Sequence, residues 1–88
     1  MRIEEESNKD FGSYIKSIRL SSGKTLKEIS EKSGISQSHI YRLEVGERHI
    51  STVTFLIIFR LAYGLNIPIQ DLINVAVKEI CKRENMNI

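Results

Sequence analysis

Four side chains able to hydrogen-bond, Gln37, Ser38, Tyr41 and Arg42, fall at positions i, i+1, i+4 and i+5. On a helix that spacing places all four on one side. The chemistry on offer is recognition rather than bond-making. A Gln amide pairs in bidentate fashion with an adenine edge and an Arg guanidinium with guanine O6 and N7. Each good pair discriminates against the wrong base by about 1–3 kcal/mol. The same residues also suit the hydrated side of an ordinary surface helix, so the elements around them decide between the two readings.

Residues for other chemistry are sparse. His39 and His49 have no Ser, Cys or carboxylate set at triad-like positions, and no phosphate loop is legible, so no enzyme is expected. Two histidines ten residues apart make a poor metal site, and the single Cys81 cannot form an internal disulfide. Neither metal nor cofactor is expected, and Cys81 reads as an inert, partly buried thiol. The net charge of +2 is too small to argue for nucleic acid by itself. Its distribution says more: from Lys9 to His49 there are eight Lys or Arg against five Asp or Glu.

The elements that must hold this face are helices. Glycines at 12, 23, 34, 46 and 64 and the lone Pro68 punctuate a series of short helical patterns. The 88 residues suit one domain over 10–82, with flexible ends at 1–9 and 83–88. A first helix is expected after Asp10, burying Phe11, Ile15, Ile18 and Leu20. Thr25 with Glu28 three residues on is a capping-box pattern for a second helix, Leu26 to Ser33, with Leu26 and Ile29 inward. Gly34 ends it. Ser36 caps a third, through about Val45, with Ile35, Ile40 and Leu43 inward and the hydrogen-bonding face outward. A fourth is expected from Val53 to about Tyr63, capped by Ser51 or Thr52. Its crowding of β-branched residues leaves a strand as the alternative. Pro68 suits the first turn of a fifth, with Ile69, Leu72, Ile73, Ala76 and Ile80 in one stripe down to about Lys82. A short helix, a Gly-containing turn and a second helix with a polar outer face is the arrangement that presents a recognition helix to the major groove.

The stretch Thr25 to Gly46, TLKEISEKSGISQSHIYRLEVG, resembles the Cro/C1-type (XRE) family of helix-turn-helix regulators. The resemblance runs from about Asp10 to Leu72 and includes Arg19, the SGIS turn and IYRLEVGER. It implies an all-α, five-helix lambda-repressor-like DNA-binding domain. Also implied are Ser36, Gln37, Ser38 and Arg42 as base-reading residues, with Thr25, His39, Tyr41, Arg48 and His49 as phosphate-positioning contacts. Tyr41 could equally pack its ring against the second helix. Arg19 and Glu44 occupy the positions of a structural pair that fixes the angle of the recognition helix. GERHIS, residues 46–51, is similar to the small controllers of restriction-modification systems. The chain departs from the family pattern in three residues: Leu26 stands where a phosphate-binding Gln is common, Ser33 where a core aliphatic is usual, and Val45 where Asn is frequent. About three extra residues between Glu44 and Leu65 are expected to lengthen the fourth helix.

The apolar surplus of the last two helices points to a partner. A core this small cannot cover Phe55, Leu56, Ile58, Phe59, Ile73, Val75, Val77 and Ile80 together. A two-fold homodimer is expected through Phe55, Phe59, Ile73, Val77 and Ile80, reading a palindromic operator in double-stranded DNA as a transcriptional repressor or other regulator. The alternative is a protein-interaction module, antitoxin or adaptor, built on the same fold. Expression level, proteolysis or a protein antagonist would then supply control. The apolar run at Val53 to Phe59 is far shorter than the roughly 20 residues that span a bilayer. The opening Met-Arg-Ile-Glu-Glu-Glu lacks an export pattern, so no membrane association is expected and the cytoplasm is the expected compartment.

Overall fold

The computed structural model describes residues 10–86. The arm expected over 1–9 and the last two positions of the expected tail lie outside the described residues. Among the described residues the chain forms five α-helices and one 3-10 turn, with no strand: α1 Phe11–Ser21, α2 Leu26–Ser33, α3 Gln37–Glu44, the 3-10 turn Ile50–Thr52, α4 Phe55–Leu65 and α5 Ile69–Arg83.

Most helix starts are local chemistry. Asp10 accepts from Ser13 N–H at 2.7 Å. Thr25 and Glu28 exchange two hydrogen bonds, with Thr25 Oγ1 accepting from Glu28 N–H at 3.1 Å and Glu28 Oε1 accepting from Thr25 N–H at 2.9 Å. Ser36 Oγ accepts from His39 N–H at 3.2 Å. Each satisfies donors that have no partner inside their own helix. Gly34 closes α2 at φ 76°, a left-handed conformation that a residue with a Cβ enters only at a cost.

The fourth helix starts later than the pattern predicts. Its cap is Thr54, whose Oγ1 accepts from Ile57 N–H at 3.3 Å, rather than Ser51 or Thr52. Ile50 is buried in the core and draws residues 50–52 into the 3-10 turn, where Thr52 Oγ1 donates to His49 C=O at 2.7 Å instead of capping a helix.

One expected core residue is not in the core. Leu20 is 58% exposed. At 100° per residue it lies half a turn around α1 from Phe11, and Tyr14 packs against the core in addition to Ile18. The remaining interior is one cluster built around Ile15, Ile29, Ile40, Leu43, Leu61 and Leu72, each essentially sealed from water. Burying each such side chain stabilises the fold by about 1.5–3 kcal/mol.

Two close approaches set the angles between helices. A Cβ on Gly12 would overlap the Leu43 carbonyl oxygen, so only glycine lets α1 lie this close to the end of α3. A Cβ on Gly64 would stand 2.9 Å from Ser33 Cβ and 3.3 Å from Ile29 Cγ2. The small Ser33 and the bare Gly64 together let α2 and α4 touch. That accounts for Ser33 at a core position, where its hydroxyl oxygen also accepts from Ile35 N–H at 3.1 Å.

Candidate nucleic-acid interface

The turn from α2 to α3 presents the outer side of α3 to solvent. Ser33, Ile35, Ile40, Leu43 and Glu44 face inward and are buried. Gln37, Ser38, Tyr41 and Arg42 are exposed on the opposite side. Ser36 is exposed too, but its oxygen is engaged as the cap of α3 and lies 3.5 Å from Ser38 Oγ. Its hydroxyl hydrogen remains to be shared with Ser38 or offered outward.

Positive charge concentrates beside this face. His39 is half-buried, and its protonation is held below the ordinary value of 6.5, first by burial and then by the charges of Arg48 and Arg42. Those two guanidiniums therefore act on the same imidazole, one from α3 and one from the loop that follows it. On the other flank, Arg19, Lys24, Thr25, Lys27 and Gln37 line an open depression of about 510 Å³ between the start of α2 and the start of α3. Thr25 thus sits across from Gln37.

The unit is braced from behind. Arg19 Nε donates to Glu44 Oε2 at 2.7 Å, Nη2 to Glu44 Oε1 at 3.0 Å and Nη1 to the Lys24 carbonyl at 3.0 Å. One guanidinium joins α1, the end of α3 and the α1–α2 turn, and its bond to Glu44 is the main reason its proton is held more tightly than usual. The fork geometry is the strong form of such a pair.

His49 is placed differently from Arg48. Its Nε2 lies 3.7 Å from Glu79 Oε2 on α5, so the imidazole is turned toward the body of the protein. The residues assigned to a second copy are also divided. Phe55 is 64% exposed and Phe59 53%, and with Leu56 and Tyr63 they form a continuous apolar stripe along α4. Val77 on α5 is exposed and Ile73 half-buried, whereas Ile80, Ile58 and Val75 pack against the chain's own core. Tyr63 was not singled out by the sequence, although its place four residues after Phe59 is a helical repeat of the same stripe.

The sequence profile of the helix-turn-helix family matches residues 15–72, from the middle of α1 into α5. The chain belongs to the Cro/C1-type (XRE) helix-turn-helix family. Members of this family are DNA-binding transcriptional regulators, and this protein is one. Three solved structures are similar. The restriction-modification controller protein C.AhdI from Aeromonas hydrophila shares 27% identity, covering 70% of this chain and 89% of that one, with a TM-score of 0.63. The restriction-modification controller protein C.Esp1396I shares 26% identity, covering 82% of this chain and 90% of that one, with a TM-score of 0.64. The clp gene regulator ClgR from C. glutamicum has the same fold at 23% identity, covering 80% and 87%, with a TM-score of 0.63. No curated protein matches the chain significantly. Among the described residues of this family member, no helix is long and apolar enough to cross a membrane.

Proposed function

We propose that the protein binds an inverted-repeat operator as a homodimer and represses transcription from it. The observation that carries this is the division of α3, where Gln37, Ser38 and Arg42 stand exposed on one side while Ile40, Leu43 and Glu44 lock the other into the core. In this reading Gln37 and Arg42 read base edges, with Ser36 and Ser38 beside them. Thr25, His39, Tyr41 and Arg48 hold phosphates on the two flanks, and His49 steadies the same loop from the Glu79 side. Arg19 and Glu44 set the pitch of α3 as it enters the groove. Two structural neighbours named as restriction-modification controllers favour a small, dedicated regulator over one serving many promoters.

Dimerisation follows from the stripe on α4. Phe55, Phe59 and Tyr63 are exposed on one side of α4, Val77 with Ile73 extends the patch onto α5, and an exposed apolar patch of this kind marks a contact surface. A two-fold axis there sets two recognition helices about 34 Å apart, one helical turn of DNA. The same stripe also supports a second reading, in which it receives a different protein. Light scattering at micromolar concentration separates them. The dimer reading expects a mass of two chains alone and of duplex plus two chains on DNA. A mass of one chain in both conditions contradicts it and favours the partner-binding module.

A further inference from the structure

The inward stripe of α5 runs through Leu72 and Ala76, both buried, and reaches Glu79 three residues later, where the pattern calls for an apolar side chain. This carboxylate touches two other elements. Oε1 accepts from Phe11 N–H, at the first position of α1, at 2.6 Å. Oε2 lies 3.7 Å from His49 Nε2 in the loop that leaves the recognition helix.

Helix capping explains only the first contact. Phe11 is buried, and its N–H is one of the four at a helix start with no partner inside the helix, so it needs an acceptor. A local side chain commonly fills that role, as Asp10 does for Ser13. Here the acceptor comes from sixty-eight positions away, on the helix that carries Ile73 and Val77. The second contact acts on the loop. His49 lies between Arg48 and the buried Ile50, so the loop is held at two adjacent residues, one in the core and one against α5.

We propose that Glu79 is a positioning residue for operator binding, fixing the angle at which α5, which carries the Ile73 and Val77 part of the proposed dimer patch, sits on the unit formed by α1, α3 and the loop after α3. The inference rests on the dimeric-operator reading above. Leverage makes the angle matter. Each recognition helix would lie about 17 Å from the two-fold axis, half of the ~34 Å between half-sites. A change of about 10° at that radius displaces it by about 3 Å, close to one base-pair step of roughly 3.4 Å.

The test compares wild type, Glu79→Gln and Glu79→Ala, each shown to be folded by circular dichroism. Affinity is measured for a single half-site, for a duplex with both half-sites, and for duplexes with the spacing changed by one base pair in either direction. Wild type is expected to prefer the two-site duplex by about 100-fold, in the range that linked binding gives. Glu79→Ala should cut that preference, taken relative to its own half-site affinity, about tenfold and flatten the dependence on spacing, with base preference unchanged. Glu79→Gln keeps an acceptor for Phe11 N–H but loses the charge facing His49, so it should fall between the two. If Ala does not fold, Gln carries the test. A purely stabilising role lowers the melting temperature and leaves the ratio and spacing dependence at their wild-type values, and that result overturns the inference alone. A wild type that binds one and two half-sites alike overturns the operator reading itself, and the inference with it.

Discussion

Arg42 and Arg48 both place positive charge on His39, yet they are expected to do different work on DNA. Arg42 stands on the exposed side of α3, and its replacement by Ala should cost about 1–3 kcal/mol and relax preference at one base position. Arg48 lies in the following loop, so Arg48→Ala should weaken all sequences alike and reduce the slope of log affinity against log salt by about one. Anisotropy titrations over a salt series measure both, and equal losses on every sequence from both variants contradict the assignment. His39 gives a prediction about pH. Its proton is held less tightly folded than at the ordinary 6.5, so between the two values the unfolded chain binds more protons. The stability it contributes is whole above 6.5 and falls as pH drops toward the folded value. Thermal melts between pH 5 and 7.5 should show a smaller loss on acidification in His39→Gln than in wild type, and identical profiles contradict this. The caps Asp10, Thr25 and Ser36 were legible because their partners lie three residues away, and the outward face of α3 because helical periodicity sets it. Glu79 was not, because its contact with Phe11 spans sixty-eight positions.

Among the elements, the contact between α2 and α4 is the most sensitive to volume. Gly64→Ala puts a methyl 2.9 Å from Ser33 Cβ and 3.3 Å from Ile29 Cγ2. Helix propensity alone favours Ala over Gly by about 1 kcal/mol, but overpacking of this kind costs about 1–3 kcal/mol. The tighter contact is with Ser33, whose Cβ is fixed to the backbone and cannot swing aside, so the strain should win. Urea denaturation is expected to show a net loss of about 1 kcal/mol, and an unchanged or higher midpoint contradicts the tight contact. The boundaries of the elements show where sequence reasoning runs out. Ser51, Thr52 and Thr54 are all good cap residues, and nothing local ranks them. The choice falls to Thr54 because Ile50 is pulled into a core formed by residues distant in sequence. Leu20 was misplaced for a simpler reason, since an apolar residue at the end of a short helix is read as inward until its angle around the axis is counted.

The whole molecule is a monomer-sized core with an aromatic stripe left over. The surplus was legible from the sequence as apolar residues too numerous to bury, but its division was not. Ile80, Ile58 and Val75 turn to the core while Phe55, Phe59 and Tyr63 stay outside, a sorting decided by how α4 and α5 rotate against the other helices. Phe59→Lys, a charge in the middle of the stripe, should yield a one-chain mass in light scattering with the helical content kept in circular dichroism, because Phe59 lies outside the chain's own core. A dimer that survives this change contradicts the stripe as its interface. The claim that ties the scales together is dimeric reading of a symmetric site, and selection of bound duplexes from a random library at near-physiological salt tests it most directly. The expected result is an enriched inverted repeat with half-site centres about 10 base pairs apart. An unenriched pool from folded protein, or a single asymmetric half-site, would contradict it.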